Sequence, residues 1–153
     1  MSDNSLSEGA STLTIRDMAD ADFEAVAALW LASGVARPWN DPATDIAFAR
    51  RGPHSTVLVG ERGGRVVATA MVGEDGHRGW TYYVAAAPEL QGQGLGRAMM
   101  AAVEAWLAAR GVWKVQLLVR EDNVAAKGFY ERLGYRDTRT ACFQKEIERN
   151  PIR

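Results

Sequence analysis

The chain has 153 residues, the size of one ordinary globular domain. Apolar residues make up 47% and charged residues 24%, a composition that excludes a mostly disordered, fibrous or repeat protein. Eighteen lysines and arginines against nineteen acidic residues give a net charge of −1, so nothing predicts binding to nucleic acid or membranes. We therefore expect one globular domain whose function is carried by local motifs.

The ends of the chain and its single cysteine bear on location. Residues 1–11 lack the basic start and apolar stretch of a signal peptide, and we interpret them, like residues 149–153, as tails of a domain over residues 12–148. Cys142 alone can form neither an internal disulfide nor a zinc–thiolate cluster. We expect a cytoplasmic protein in which Cys142 is a small buried apolar side chain.

The first half of the chain predicts a strand, two helices and a hairpin. A weak alternation predicts a strand at Leu13–Arg16, and an apolar stripe at three- and four-residue spacing predicts a helix capped by Asp20. The two prolines of Arg37–Pro42 predict an irregular loop before a short helix over Asp45–Arg51. Two β-rich runs joined by a tight glycine turn follow: Ser55–Glu61 and Val66–Val72.

The second half predicts strands that alternate with helices. In chain order, these are a strand at Trp80–Ala86, a helix at Gly94–Arg110, a strand at Val112–Val119, a helix at Asn123–Leu133, and closing strands at Tyr135–Thr138 and Ala141–Ile147. Together with the early hairpin, this order predicts an α/β (α+β) fold built as a three-layer sandwich.

A glycine-rich turn separates a strand from the clearest helix of the chain. It consists of Gln91, Gly92, Gln93, Gly94, Leu95 and Gly96. The first turn of a helix presents unpaired N–H groups to anions, and glycines let the backbone approach a phosphate closely. The same glycines would also suit a tight turn with no ligand. The Walker A pattern is absent, and Arg97 stands where the last glycine of a dinucleotide fingerprint belongs. A nucleotide carrier held outside a Rossmann crevice is therefore favoured.

Two motifs resemble those of the GNAT superfamily of N-acetyltransferases. The pattern Gln-x-x-Gly-x-Gly that starts at Gln91 resembles the acetyl-CoA pyrophosphate loop of that superfamily, and Asn123–Tyr135 resembles its Asn-x-x-Ala-x-x-x-Tyr-x-x-x-Gly-Phe/Tyr segment. The resemblance covers about Leu13–Ile147. It is closest to the small bacterial YpeA-like branch, whose Arg-Pro-Trp-Asn-Asp-Pro loop and Gly-Trp-x-Tyr-Tyr strand recur at Arg37–Pro42 and Gly79–Tyr83.

The resemblance implies a single domain with a mixed, mostly antiparallel sheet of about seven strands and about four helices. It implies that the sheet splays open between its fourth and fifth strands, where acetyl-CoA would bind as co-substrate without a metal. The residues that it assigns to acetyl-CoA are Val84, Ala85, Ala86, Gln91, Gly92, Gln93, Gly94, Leu95, Gly96, Arg97, Asn123, Lys127 and Tyr130. The first motif position is often arginine in the family, so with Gln91 there, Arg97 or Lys127 would take over some of the phosphate charge.

The implied reaction is direct transfer of an acetyl group to a primary amine in a ternary complex, with Tyr130 as the acid that protonates the leaving thiolate. Backbone N–H groups near Val84 could polarise the thioester carbonyl. The base stays open between water and several side chains: Glu74, Asp75, His77, Tyr82 and Tyr83. Successive strand side chains alternate, so we expect only one of the two tyrosines to face the acceptor.

The loop before the second helix is a candidate wall of the acceptor site. Arg37, Trp39 and Asp41 are its candidate acceptor-binding residues, the alternative being a rigid connection with Trp39 in the core. The acceptor would be a small-molecule or protein amine, and a homodimer is possible. The competing function is a catalytically weak CoA-binding or sensing module of the same fold.

Overall fold

A five-stranded mixed sheet organises the chain, in the order β1-β2-β3-β4-β5. The computed structural model describes residues 12–148. The strands are β1 (Thr14–Asp17), β2 (Ser55–Arg62), β3 (Arg65–Glu74), β4 (Gly79–Ala86) and β5 (Val115–Gln116). The first three pairings are antiparallel, and β4 pairs with β5 in parallel.

Four α-helices accompany the sheet in the described part of the chain: α1 (Phe23–Ser33), α2 (Pro42–Ala49), α3 (Leu95–Ala108) and α4 (Val124–Arg132). The chain divides into two units between Leu118 and Val119. The first unit holds the sheet and α1–α3, and the second holds α4. Within the described residues, none of the helices has both the length and the apolar character needed to cross a membrane.

Helices cover both faces of the sheet. A Cβ on Gly60 of β2 would touch Met99 of α3, which places α3 on that face. Thr69 of β3 bonds to Trp30 of α1 on the opposite face. Because both faces are covered, the strands contain runs of buried residues instead of an alternating pattern, as at Val57–Val59.

The start of β4 lies unusually close to α3. A Cβ on Gly79 would lie 2.5 Å from Cδ1 of Leu107, inside any real contact distance. Gly79 also pairs with Val115 of β5 and donates its N–H to the carbonyl of Lys114 at 2.9 Å. Glycine at this position therefore lets helix, β4 and β5 come together at one point.

An ion-pair cluster fixes the entry into α1. Arg16 of β1 donates to both carboxylate oxygens of Asp22 at 2.7 and 3.0 Å and to Glu61 of β2 at 2.8 Å. Asp22 also accepts the N–H of Ala19 at 2.7 Å. The prediction that Asp20 caps this helix is wrong: the α-helix begins at Phe23 after a single 3₁₀ turn, and Asp20 pairs with Arg50.

Most predicted boundaries shift by one or two residues, and two elements differ by more. The second helix begins at Pro42, earlier than Asp45, because Asp41 caps it and a proline in the first helical turn has no N–H to lose. The strand expected over Val112–Val119 is ordered as a strand only at Val115–Gln116, where it pairs with β4.

Over residues 12–148 the sheet has five strands, so the expectation of about seven is wrong. Tyr135–Thr138 and Ala141–Ile147 form no strand, and this described segment is exposed almost throughout. Alternation in a sequence can only permit a strand, which then needs a partner to pair with. Cys142 lies in this segment and is exposed, contrary to the expectation that it is buried.

Candidate active site

An irregularity in β4 sets the geometry of the candidate site. Met71 of β3 pairs with Tyr82 and Thr69 pairs with Ala85, so Tyr83 and Val84 together face one residue of β3. This is a β-bulge, in which one strand carries an extra residue. Tyr83 has φ of +52°, a left-handed conformation that is rare for an aromatic residue.

Buried side chains hold the bulge in this conformation. The indole Nε1 of Trp30 donates to Oγ1 of Thr69 at 2.9 Å, and Thr69 in turn donates to the carbonyl of Tyr83 at 3.0 Å. The rings of Trp30 and Tyr83 stack at 3.9 Å between centroids and 6° between planes. Trp30 and Thr69 are both fully buried, so these contacts oppose relaxation of the strained backbone.

The bulge places both tyrosines of β4 beside one cavity. The expectation that Tyr82 and Tyr83 face opposite sides of the sheet is wrong, because both line this cavity. The extra residue interrupts the alternation on which that expectation depended. The ring of Tyr83 is thereby turned onto Trp30, on the face covered by α1.

The cavity has a volume of about 350 Å³ and lies between α2, β3 and β4. Its lining residues are Asn40, Asp45, Phe48, Ala49, Ser55, Met71, Val72, Gly73, Trp80, Tyr82 and Tyr83. The hydroxyl of Tyr83 donates to Oδ2 of Asp45 at 2.6 Å. Burial and this hydrogen bond raise the pKa of Tyr83 far above its usual value, so the phenol stays protonated and acts as a donor.

The loop before α2 contributes Asn40 to the cavity, whereas the loop residues chosen from the sequence are not among the lining residues. Trp39 is exposed, so the alternative that it packs in the core is wrong. Asp41 caps α2 by accepting the N–H of Thr44 at 3.3 Å and its hydroxyl at 2.7 Å. The hydroxyl bond lowers the pKa of Asp41.

The acidic residues between β3 and β4 stabilise a turn. Oε1 of Glu74 lies 2.6 Å from Nδ1 of His54, and Oε2 of Glu74 accepts the N–H of Gly76 at 2.7 Å. Asp75 accepts the N–H groups of His77 and Arg78 at 2.9 and 2.7 Å. The bond to His54 lowers the pKa of Glu74, and the backbone N–H groups lower that of Asp75. Both carboxylates are therefore weakened as proton acceptors.

One edge of β4 opens beyond its first two residues. Among the described residues, β5 pairs with β4 only at Gly79 and Trp80. The predicted pantetheine-binding residues are Val84, Ala85 and Ala86, which follow on the same strand. The N–H of Ala87 bonds to β3, so alternation along the strand turns the N–H of Ala86 to the open side. The splay between the fourth and fifth strands stays a prediction, and this short pairing is compatible with it.

The strand leads into the glycine turn at the N-terminus of α3. Gly92 and Gly94 have φ of +81° and +77°, and no atom lies within 4 Å of a Cβ built on either. Gly94 is the N-cap of α3 and offers no side chain to the first N–H groups of the helix. The backbone donors of this turn therefore remain available to an anion, beside the exposed side chains of Gln91 and Arg97.

An arginine that the sequence analysis did not select lies against this turn. Nη1 of Arg62, at the end of β2, donates to Oε1 of Gln93 at 2.8 Å. Its Nε is buried without a hydrogen-bond partner among the described residues. The neighbouring Arg65 forms an ion pair with Glu89. Arg62 thus brings a positive charge to the glycine turn. Among the described residues, no acidic side chain forms an ion pair with it.

The second unit carries the remaining motif residues on and around α4. Asn123 caps the helix, because its Oδ1 accepts the N–H of Ala126 at 3.0 Å. This bond uses only the oxygen of the side-chain amide, so the NH₂ group can donate to a ligand. The ring of Tyr130 makes edge contacts with Phe129 and Tyr135 at 4.9 and 5.8 Å between centroids. Burial raises the pKa of Tyr130, which keeps its hydroxyl protonated. Nζ of Lys127 lies 3.5 Å from the carboxylate of Glu121.

Several residues that the structure brings to this site were not predicted from the sequence: Trp30, Asn40, Asp45, Thr69 and Arg62. Trp30 was visible only as part of an apolar helical stripe. Asn40 had a signal, because it lies inside the loop already considered for the acceptor. The pairing of Asp45 with Tyr83, 38 residues away, has no signal in one sequence.

The sequence over residues 14–135 matches the acetyltransferase (GNAT) family. Solved structures give the same fold. The chain is similar to the aminoglycoside N-acetyltransferase AAC(6′)-Iy in complex with the bisubstrate analogue CoA-S-monomethyl-acetylneamine, with a TM-score of 0.77, 16% identity, and coverage of 90% of this chain and 99% of that chain. Another structure of that enzyme contains CoA.

Two further structures are from other acetyltransferases. Glucosamine-6-phosphate N-acetyltransferase from Arabidopsis thaliana has a TM-score of 0.69 and 19% identity, with 90% of this chain and 99% of that chain covered. The ribosomal-protein-S18-alanine N-acetyltransferase from Escherichia coli has a TM-score of 0.67 and 27% identity, with 80% and 77% covered. These similar structures carry three different acceptors in their names, so fold alone does not define the acceptor.

Proposed function

The chain belongs to the acetyltransferase (GNAT) family, and on that premise we propose that it transfers the acetyl group of acetyl-CoA to a primary amine within a ternary complex. The observation that carries this proposal is a bulged strand with one open edge, followed after a single 3₁₀ turn by a glycine turn at a helix N-terminus. Such an edge offers backbone hydrogen bonds to an extended amide-containing arm, and the turn offers amides to a pyrophosphate.

The first unit supplies most of the residues proposed for acetyl-CoA. Val84, Ala85 and Ala86 would bind the pantetheine arm through backbone groups, and residues 91–97 would receive the pyrophosphate. The empty space around Gly92 and Gly94 supports this fit, since a Cβ there would only occupy room that a phosphate needs. The family resemblance adds Asn123 and Lys127 as proposed donors to acetyl-CoA.

Arg62 has a place in this proposal as a source of phosphate charge. The family often has arginine at the first position of the turn, where this chain has Gln91. Arg62 holds Gln93 from the neighbouring hairpin and brings a guanidinium to the same turn. We assign it, with Arg97, to charge compensation of the phosphates.

The proposed reaction joins the acceptor nitrogen to the acetyl carbon and breaks the carbon–sulfur bond of the thioester. Backbone N–H groups of the bulge polarise the carbonyl, and Tyr130 gives its proton to the departing sulfur. Because Tyr83 stays protonated and Glu74 and Asp75 hold a turn, the ammonium proton of the acceptor passes to water at the cavity mouth. Tyr130 is afterwards reprotonated from solvent.

Two measurements test this function. Calorimetry should detect acetyl-CoA binding at sub-millimolar concentration, and thiol release should rise on addition of a primary amine.

Tyr130→Phe should lower kcat by about tenfold or more while the Kd for acetyl-CoA stays the same. Absence of acetyl-CoA binding would overturn the proposal, and binding without turnover across a broad amine panel would indicate a CoA-binding or sensing module.

Further features of the chain remain part of the proposal. The YpeA-like branch is the proposed place within the family, on the basis of the Arg37–Pro42 loop and the Gly79–Tyr83 strand. Arg37, Trp39 and Asp41 are proposed to contribute to an outer part of the acceptor site. A cytoplasmic location and a possible homodimer are proposed with them.

A further inference from the structure

We propose that the cavity between α2, β3 and β4 binds a singly charged primary amine with a compact apolar or aromatic body, and that Asp45 holds its ammonium group. This inference rests on the proposed function and adds the class of acceptor. Asp45 lies on α2, outside both family motifs, and its position beside the cavity emerges only from the fold.

Among the described residues that line the cavity, one side chain carries a full charge. Asp45 is the only carboxylate among the described lining residues, and the lining includes no lysine or arginine. Its Oδ2 accepts the hydroxyl of Tyr83 at 2.6 Å. A protonated amine placed in the cavity would donate a charge-assisted hydrogen bond to this carboxylate.

The hydrogen bond from Tyr83 orients this carboxylate. Tyr83 is held by its stacking on Trp30 and by the bond from Thr69 to its carbonyl. The phenol therefore reaches Asp45 from a fixed position. Pre-organisation of this kind lowers the entropy cost of ordering the carboxylate when a ligand binds.

The rest of the cavity favours an apolar body. Phe48, Met71 and Trp80 provide apolar surface, and the rings of Trp80 and Tyr82 are nearly parallel, with an angle of 12° between them. The volume of about 350 Å³ lies at the lower end of the roughly 300–1,000 Å³ of ligand pockets. A flat ring or short aliphatic chain fits such walls.

A polycationic acceptor fits poorly for the same reasons. It would bring several ammonium groups against a single carboxylate, and each unpaired charge would lose hydration on entering apolar surroundings. The aminoglycoside class named for one similar structure is therefore not the class that this cavity favours.

The cavity is also correctly placed for transfer within the proposed function. Tyr83, which binds Asp45, immediately precedes Val84, which is proposed to contact the pantetheine arm. The bulge thus brings the amine-binding group and the open strand edge to adjacent residues. An amine held by Asp45 would need to release one of its protons to water before attacking.

The test uses the full chain and three probes: 2-phenylethylamine, its neutral analogue 2-phenylethanol, and kanamycin as a polycation. Binding of each is measured by calorimetry without acetyl-CoA, and thiol release is then measured with acetyl-CoA. We expect 2-phenylethylamine to bind and to give a kcat/KM at least about tenfold above that of kanamycin.

Asp45→Asn should weaken 2-phenylethylamine binding by about tenfold to a hundredfold, since it removes the charge but keeps an acceptor for Tyr83. Binding of 2-phenylethanol and of acetyl-CoA should change by less than about twofold in this variant. Asp45→Glu should restore part of the amine affinity. The matched control, Glu24→Gln, removes one exposed carboxylate of α1 and should leave all values unchanged.

Three outcomes would overturn the inference: unchanged amine affinity in Asp45→Asn, an equal loss of 2-phenylethanol binding, or preferred turnover of kanamycin. Failure of the proposed function looks different. The chain would then bind 2-phenylethylamine through Asp45 but bind no acetyl-CoA and release no thiol.

Discussion

Single residues in the interior determine how β4 is shaped. Thr69 is the central one, because its hydroxyl accepts from Trp30 and donates to the carbonyl of Tyr83. A buried threonine with both bonding capacities used cannot be replaced by valine of the same shape without leaving two polar groups unsatisfied.

Thr69→Val is therefore expected to lower the free energy of unfolding by about 1–3 kcal/mol and to raise the KM for the amine more than that for acetyl-CoA. Denaturant unfolding and steady-state kinetics measure the two effects. Thr56→Val is the matched control, since its hydroxyl bonds to Asp17 at the surface. A Thr69 variant as stable as the Thr56 variant would contradict the role given to this network.

Arg62 allows a second test at the residue scale. Arg62→Gln should raise the Kd for acetyl-CoA about three- to tenfold and weaken its dependence on salt concentration. Arg65→Gln, whose arginine is already paired with Glu89, should have a smaller effect. Equal effects of the two substitutions, measured by calorimetry at two salt concentrations, would rule out a specific role for Arg62.

At the scale of elements, charged and polar side chains link strands and helices whose pairing the hydrophobic pattern of the sequence does not predict. Arg16 links β1, the entry to α1 and β2 through Asp22 and Glu61. The bond to Arg16 lowers the pKa of Asp22. A carboxylate whose pKa is lower in the folded than in the unfolded chain stabilises the fold above its unfolded pKa, and this contribution is lost as the pH falls through the folded pKa.

Asp22→Asn should accordingly lower the free energy of unfolding at pH 7 by about 1–2 kcal/mol, a modest value because Arg16 is partly exposed. The difference between the two proteins should shrink as the pH falls below about 4, where the unfolded carboxylate takes up its proton. Urea unfolding between pH 3 and pH 7 gives the comparison. Asp20→Asn is the control, because Asp20 pairs with Arg50 at a fully exposed position, and it should change the free energy of unfolding less. If the difference between Asp22→Asn and the unmodified chain were the same at every pH, the stabilising role given to the Asp22 carboxylate would be wrong.

The elements also show how far the sequence could be used for prediction. Period and turn residues were sufficient for the β2–β3 hairpin, for α3 and for α4, because these depend on neighbours in the chain. The β4 bulge depends on Thr69 and Trp30, which lie 14 and 53 residues before Tyr83. The closing strands were predicted from the local pattern and from the strand number that the family resemblance implies, yet among the described residues these segments join no sheet. Long-range partners are the information that one sequence does not display.

At the scale of the whole molecule, a net charge of −1 is compatible with an anionic co-substrate. The phosphates can be received locally by backbone N–H groups at the start of α3 and by the neighbouring arginines. Local geometry, and not total charge, therefore controls recognition in this proposal. The two family motifs made the candidate co-substrate predictable, whereas the cavity that favours one acceptor class became visible only with the fold.

Acetyl-CoA should stabilise the folded chain in proportion to its binding. At a ligand concentration of one hundred times Kd the gain is about 2.7 kcal/mol, which corresponds to roughly 5–10 °C in Tm for a chain of this size. Differential scanning fluorimetry over a range of acetyl-CoA concentrations measures it, with ATP as the control for nonspecific nucleotide effects. A Tm that stays constant, or that rises equally with ATP, would contradict a specific acetyl-CoA site.

The bulge in β4 has a consequence for how the chain can vary by insertion and deletion. Tyr83 and Val84 share one partner position on β3, while Tyr82 and Ala85 on either side are already in register. Loss of the Tyr83 codon would leave a regular ladder and disturb no other strand pair. It would also remove the ring that orients Asp45 and the extra residue at the open edge. A single in-frame deletion would thus keep the strand pairing while it removes the side chain that orients Asp45 in the proposed acceptor site.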